Sequence, residues 1–204
     1  ADVNAGGDAS QSEMLKVPEA EYNYKLWLGH GITTVRGVPF GEMEWSLTER
    51  DRSARNEITA PRMVSYHVPG SGREWAGKKI LTPNDARKWV RWAAKKGIDG
   101  LKLDAYRPEI MKALLDEGGR HGLGSMAHLR QTGVARMNAL DAARLGLGTV
   151  THFYGIFEAL YDDHDVQPWP VGMNYSDEQL RFSQVARQWN LIHPQGSETW
   201  NALI

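Results

Sequence analysis

Side chains that can bind metals or substrates follow several short β-rich runs of the sequence. They are Arg36, His67, Lys102, Asp104, His128 and His152. Active sites of parallel α/β folds lie at the C-terminal ends of strands, so this placement predicts a site there. His128 and His152 are separated by the length of one βα unit, so they would come from successive strands. Neutral imidazole is a good ligand for Zn²⁺, Fe²⁺ or Mn²⁺, and the pair predicts part of a divalent-metal site. The alternative for each is a hydrogen-bonded structural histidine.

Lys102 stands between two leucines in the run GLKLD. In an alternating strand, Leu101 and Leu103 would face a helix layer, which turns Lys102 toward the interior of a barrel. An inward lysine must be paired, neutralised or chemically modified. Arg36 is suited either to neutralise a carboxylate in the pocket or to form an ordinary salt bridge.

Alternating strands and amphipathic helices must position these residues. Strands are predicted near residues 32, 62, 100, 124 and 149, with an uncertain earlier strand at the N-terminus. Helices are predicted at residues 19–28, 46–56, 83–96, 107–117, 132–145 and 176–189. Repeated βα units of this length build either a doubly wound sheet or a (β/α)8 barrel. No GxGxxG motif follows the early strands, which favours the barrel.

Composition excludes several classes of protein. The 204 residues include 24 Lys+Arg and 25 Asp+Glu, a balance that does not indicate nucleic-acid binding. The absence of cysteine excludes disulfide scaffolds, zinc ribbons and thiol nucleophiles. No apolar run approaches the roughly 18 residues of a membrane span, so no membrane association is predicted.

Four segments together resemble the metal-dependent amidohydrolase superfamily, in its imidazolonepropionase-like and prolidase-like branch. They are GHGITTVRG, GIDGLKLDA, GLGSMAH and LGLGTVTHFYG, in this order over residues 19–155. The resemblance implies a (β/α)8 TIM barrel that holds one or two divalent ions, usually zinc. It also implies metal-assisted hydrolysis.

The resemblance implies roles for individual residues. Lys102 matches the fourth-strand lysine, which is often carboxylated and bridges two metals. His128 and His152 match the fifth- and sixth-strand ligands. Asp2 and Asn4 take the two positions of the family's H-x-H pair. Substrate contacts are predicted for Arg36, His67 and Tyr154.

The sequence departs from the family at its first and last strands. Asp2 and Asn4 replace two imidazoles, which weakens zinc binding. The eighth-strand aspartate, which serves as general base, has no counterpart. The expected fold is therefore an incomplete barrel of about six βα units, a single domain over residues 1–204 truncated before strands 7 and 8. An open sheet edge would favour homo-oligomers.

The predicted function is metal-dependent hydrolysis of an amide (C–N) bond in a small substrate, such as a dipeptide or an N-acyl amino acid. One alternative is a non-catalytic relative whose metal site has decayed at Asp2 and Asn4. Another is a different barrel enzyme that uses Lys102 to form a Schiff base. Metal content and borohydride trapping distinguish these hypotheses.

Overall fold

The computed structural model describes residues 17–37, 42–130, 133–161, 167–174, 176–192 and 197–203. Helices alternate with strands through the first two thirds of the chain. The order is α1 (Val17–Gly29), β1 (Thr34–Gly37), α2 (Met43–Ala54), β2 (Arg62–His67), α3 (Pro83–Lys96), β3 (Gly100–Asp104), α4 (Pro108–Arg120) and β4 (Gly124–His128). Four short helices follow: α5 (Ala139–Arg144), α6 (Glu178–Ser183), α7 (Val185–Gln188) and α8 (Glu198–Leu203).

The four strands form one parallel sheet in the order β1-β2-β3-β4. Strand β1 pairs with the first part of β2, where Arg36 lies opposite Val64. The end of β2 pairs with β3, where His67 lies opposite Leu101. This sheet confirms the predicted α/β fold. Closure into an eight-stranded barrel and association into homo-oligomers stay predictions.

The chain forms two compact units. Unit 1 contains residues 1–103 and 113–125, and unit 2 contains residues 104–112 and 126–204. A core cluster in unit 1 joins α1 to the sheet through Ala20, Tyr24, Val35, Ile58 and Met63. Within the described ranges, none of the helices has the length and apolarity required to cross a bilayer.

Helix α3 begins and ends where its sequence predicts. The Thr82 side chain accepts a hydrogen bond from the Asp85 backbone N–H, and the Asp85 carboxylate accepts one from the Thr82 backbone. This reciprocal capping box satisfies two N–H groups that have no partner within the helix. Gly97 ends the helix in the left-handed conformation, at φ 88°. Trp89 and Val90 point into the core.

One face of the sheet in unit 1 carries Arg36, Tyr66 and Lys102. The Arg36 guanidinium lies 5.6 Å from the centroid of the Tyr66 ring. Tyr66 lies opposite Gly100 in the register, and Lys102 is two residues further along β3. Since side chains alternate along a strand, Gly100 and Lys102 share this face.

The opposite face of the sheet contacts helices. Leu101 lies so close to α4 that a β-carbon on Gly118 would be 2.8 Å from the leucine Cδ1. The prediction that the flanking leucine faces the helix layer is therefore confirmed. His67 shares this face because it lies opposite Leu101.

Unit 2 differs from the sequence prediction after β4. The predicted helix over residues 132–145 is wrong in its first half, because the ordered helix α5 begins only at Ala139. The Asn138 side chain accepts a hydrogen bond from the Asp141 backbone N–H and so caps the helix at that point. The predicted strand near residue 149 is reduced to a single parallel bridge between Ala127 and Val150.

The predicted helix over residues 176–189 is divided into α6 and α7. Asp177 caps the start of α6 by accepting a hydrogen bond from the Leu180 backbone N–H. Gln184 separates the two helices.

Candidate functional site

His128 and His152 are neighbours in unit 2. Their ring centroids are 5.0 Å apart and the ring planes are perpendicular. Both side chains are partly exposed. The structure therefore brings together the two imidazoles that the spacing of the strands predicts as metal ligands.

Hydrogen bonds next to the bridge fix the position of this pair. The Ala127 backbone N–H donates to the Thr149 carbonyl over 2.9 Å. The Thr151 backbone N–H and hydroxyl both donate to the Ala127 carbonyl over 2.8 Å. Because His128 follows Ala127 and His152 follows Thr151, these bonds bring the two histidines to one edge.

The backbone of His152 is strained. Its φ of 65° lies in the left-handed region, which costs a residue with a β-carbon about 1–2 kcal/mol. Such strain is concentrated at functional sites, where the surrounding contacts maintain it. The strained conformation is thus a second observation, independent of ring distance, that points to His152.

Tyr154 is fully buried beside the histidine pair. Its ring meets that of His128 edge to face, with centroids 5.5 Å apart. The Arg181 Nε donates a hydrogen bond of 2.7 Å to the Tyr154 hydroxyl, and this bond is buried. The bond fixes the orientation of a phenol ring that packs against His128.

An aromatic cluster continues from Tyr154 onto α6. The centroids of Phe153 and Phe182 are 5.3 Å apart, and the Phe182 ring contacts His152 at 6.1 Å. The Tyr161 hydroxyl donates to the Gln188 side-chain oxygen. Burial raises the pKa of Tyr161, so this hydroxyl keeps its proton.

A charged pair lies at the end of β3 in unit 2. The Arg130 guanidinium forms an ion pair with the Asp104 carboxylate. The other carboxylate oxygen of Asp104 accepts a 2.8 Å hydrogen bond from the Ala105 backbone. Burial and the nearby Asp104 charge raise the pKa of Tyr106 to about 12. The Asp104 carboxylate is therefore fixed by two partners, Arg130 and the Ala105 backbone.

Glu158 is a buried acid that sequence reasoning did not select. Burial raises the pKa of its carboxyl. One carboxyl oxygen accepts a 2.8 Å hydrogen bond from the Gly155 backbone N–H. A raised pKa is typical of catalytic acids, but this local backbone bond gives Glu158 a structural role.

The remaining predicted site residues of unit 1 occupy both faces of the sheet. Lys102 is buried and lies on the face that Arg36 shares. His67 lies on the helix-facing side, is 1% exposed, and makes no hydrogen bond to a described residue through either ring nitrogen. Roles for these three residues in metal or substrate binding stay predictions.

Metal ligation was also predicted at the N-terminus. Asp2 and Asn4 lie outside the described residues. Across the described part of the chain, no three or more His, Cys, Asp or Glu side chains form a group that could hold a metal. His128 and His152 are therefore a pair of candidate ligands to which the described acids and histidines add no third.

Arg181 and Phe182 were missed by sequence reasoning. The Arg181–Tyr154 bond and the Tyr161–Gln188 bond each join residues 27 positions apart. No local pattern indicates such contacts, because they depend on how two short helices pack back onto the segment after His152. The sequence of α6 by itself predicts a helix with an acidic cap and gives no sign of these contacts.

Comparison with known proteins identifies similar folds but no family. No family model and no curated protein sequence matches the chain. Nine chains of known structure do match. One is an uncharacterized protein, at 20% identity and a TM-score of 0.50. Another is a Xaa-Pro dipeptidase with methionine bound in its active site, at 16% identity and a TM-score of 0.51.

These two matches cover most of this chain but less than half of each matched protein. They cover 69% and 72% of the chain, and 42% and 43% of the matched proteins. Identities this low show similarity of fold alone. The fold is thus one that a dipeptidase also contains.

Proposed function

We propose that the chain belongs to a metal-dependent hydrolase that cleaves an amide bond in a small substrate, such as a dipeptide or an N-acyl amino acid. The observation that carries the proposal is the 5.0 Å separation of the His128 and His152 rings. The similarity of fold to a Xaa-Pro dipeptidase supports the choice of peptide-like substrates.

The spacing of the two imidazoles fits one metal ion. Two imidazole nitrogens at about 2.0–2.1 Å from a tetrahedral Zn²⁺ place their ring centroids roughly 5 Å apart. His128 and His152 would hold the ion. When bound, a divalent ion supplies polarisation of the scissile carbonyl and acidification of water.

The residues around the pair would maintain its geometry. The Thr151 bonds to Ala127 position His152, and Tyr154 packs its ring edge against His128. Arg181 holds Tyr154 in place through its hydroxyl. Metal ligands fixed in advance by such neighbours bind more tightly, because less conformational freedom is lost on binding.

Metal analysis of two alanine variants tests the proposal. We expect zinc loaded onto the purified chain to be retained at close to stoichiometric amounts. His128→Ala and His152→Ala should each lower zinc affinity by at least about tenfold, since each removes a ligand. His30→Ala is the control, because His30 is exposed and its ring bonds to the Leu26 carbonyl of its own helix.

Hydrolysis of a dipeptide panel that includes Xaa-Pro substrates is measured in parallel. His128→Ala and His152→Ala should both lose activity. The zinc concentration that saturates the wild-type chain should not restore activity to either variant. Zinc content unchanged by both substitutions would overturn the site. Metal binding without hydrolysis would favour the non-catalytic alternative.

A further inference from the structure

Phe182 is an exposed aromatic side chain beside the histidine pair. Its ring lies edge-on to His152 with centroids 6.1 Å apart, and 37% of the residue is exposed. The Phe153 ring packs against the Phe182 ring with centroids 5.3 Å apart, and Phe153 is partly buried. The two phenyl rings therefore form an apolar wall, here called the Phe wall, next to His152.

The Phe wall is held in a fixed position. Arg181, adjacent to Phe182, is 8% exposed and donates its Nε–H to the buried Tyr154 hydroxyl. Seven residues further along, Gln188 accepts a hydrogen bond from Tyr161. Trp189 packs perpendicular to Phe157 at 5.2 Å. Arg181 therefore anchors α6, and Gln188 and Trp189 anchor the chain that follows it, to residues 154–161.

The basic side chain of α6 has a partner of its own. Arg181 is the only basic residue of α6, and its guanidinium is directed to Tyr154. An apolar side chain docked against the wall would remove phenyl surface from water and gain affinity. An amide or carboxylate docked there would lose hydration without a new partner.

We propose that the Phe wall selects substrates that carry an apolar side chain next to the scissile amide bond. The proposal rests on the proposed hydrolase function and narrows its substrate class. Phe182 would act as a specificity-determining residue, since it contacts the metal-ligand candidate His152 without taking part in ligation.

Near-isosteric dipeptides test this selection. The zinc-loaded chain is assayed with Leu-Gly against Asn-Gly, and with Gly-Leu against Gly-Asn. The wild-type chain should prefer leucine over asparagine by about tenfold or more in kcat/KM at one of the two positions, the range that a hydrophobic pocket can supply. Phe182→Ser should reduce the preference to within about twofold, chiefly through KM, while zinc content stays unchanged.

Two matched variants separate selection from a general loss of packing. Phe182→Leu keeps an apolar wall and should retain most of the preference. Leu180→Ser removes an apolar side chain of the same helix with nearly equal exposure, 36%, and should leave the preference as in the wild type. Preference retained in Phe182→Ser, or lost equally in Leu180→Ser, overturns the inference.

A binding measurement distinguishes failure of this inference from failure of the proposed function. Calorimetry compares N-acetyl-leucine amide with N-acetyl-asparagine amide on the metal-free chain. A leucine preference of about tenfold that disappears in Phe182→Ser supports the wall even if no peptide is hydrolysed. Equal affinity for the two amides, together with equal hydrolysis of both types of dipeptide, would support the proposed hydrolase function. It would reject selection by the Phe wall.

Discussion

His67 shows how burial determines the charge of a single residue. It is almost completely buried at the end of β2, and neither ring nitrogen has a hydrogen-bond partner in the described part of the chain. Burial lowers its pKa to about 4, although the charges of Asp99 and Glu44 act in the opposite direction. The Arg50 charge adds to the lowering. His67 is therefore a neutral ring at neutral pH.

We predict that His67 makes the folded chain sensitive to acid. Its pKa falls from 6.5 in the unfolded chain to about 4 in the folded one, so the unfolded state takes up the proton first on acidification. The contribution of neutral His67 to the free energy of unfolding is fully present above about pH 6.5. It falls by about 3 kcal/mol as the pH approaches 4. His67→Phe should remove this component of the pH dependence.

Urea unfolding at pH 7, 6, 5 and 4.5 measures the effect of His67. At pH 7 the variant should be as stable as the wild type or more so, because it removes unpaired buried polar atoms. His30→Gln is the control, since that histidine is exposed. Identical pH dependence in His67→Phe and in the wild type would contradict the prediction.

The candidate site was partly predictable at the level of residues. The spacing of His128 and His152 indicates that they come from successive strands, and the structure places their rings 5.0 Å apart. The left-handed backbone of His152 could not be predicted, since its neighbours rather than its own preference impose it. Phe182 could not be predicted either, because its contact with His152 depends on the return path of the chain.

At the scale of elements, three strands approach closely because two glycines leave room for Tyr66. A β-carbon on Gly124 would lie 1.8 Å from the Tyr66 hydroxyl oxygen. A β-carbon on Gly100 would lie 2.4 Å from the Tyr66 ring and 2.7 Å from the Gly124 carbonyl oxygen. The tyrosine therefore fills the space that side chains on β3 and β4 would otherwise occupy.

We predict energetic coupling between Tyr66 and Gly124. Gly124→Ala should destabilise the wild type by about 1–3 kcal/mol through overpacking. In a Tyr66→Leu background the same change should cost less than about 1 kcal/mol, because the three atoms nearest to the new methyl group all belong to the tyrosine side chain. Gly100→Ala should stay costly in both backgrounds, since it also meets a backbone carbonyl.

A double-mutant cycle by urea unfolding measures this coupling. Gly119→Ala is the control, because no described atom outside its own stretch of helix backbone lies within 4 Å of the added β-carbon, and alanine favours a helix. It should leave stability unchanged or raise it slightly. Additive effects of Gly124→Ala and Tyr66→Leu would contradict the prediction.

Elements with strong local signals were predicted well. Helix α3 has a capping residue, a proline at its first position and a terminal glycine, and its bounds follow them. The segment at residues 132–145 has apolar periodicity, but the helix begins at Ala139, where the Asn138 side chain caps it, and among the described residues of the segment Ala139–Arg144 are helical. Pairing near residue 150 depends on the neighbouring strand β4 as well as on the local sequence. The structure has a single bridge there, between Ala127 and Val150.

At the scale of the whole molecule, the division into two units does not follow the order of the sequence. Unit 1 contains residues 113–125 as well as 1–103, and unit 2 contains residues 104–112. Strand β3, helix α4 and strand β4 each begin in one unit and end in the other. Unfolding of one unit alone would have to interrupt all three elements.

We therefore predict that the two units unfold in one transition. The chain has no cysteine, so a single buried thiol can report the opening of each unit. Ala93→Cys reports unit 1 and Ala142→Cys reports unit 2, since both alanines are fully buried. Thiol labelling at increasing urea should give the same opening free energy and the same urea dependence for both. Leu81→Cys, at an exposed position, supplies the unprotected labelling rate. Labelling of Cys at position 142 at clearly lower urea than at position 93 would show that interrupted elements do not couple the units.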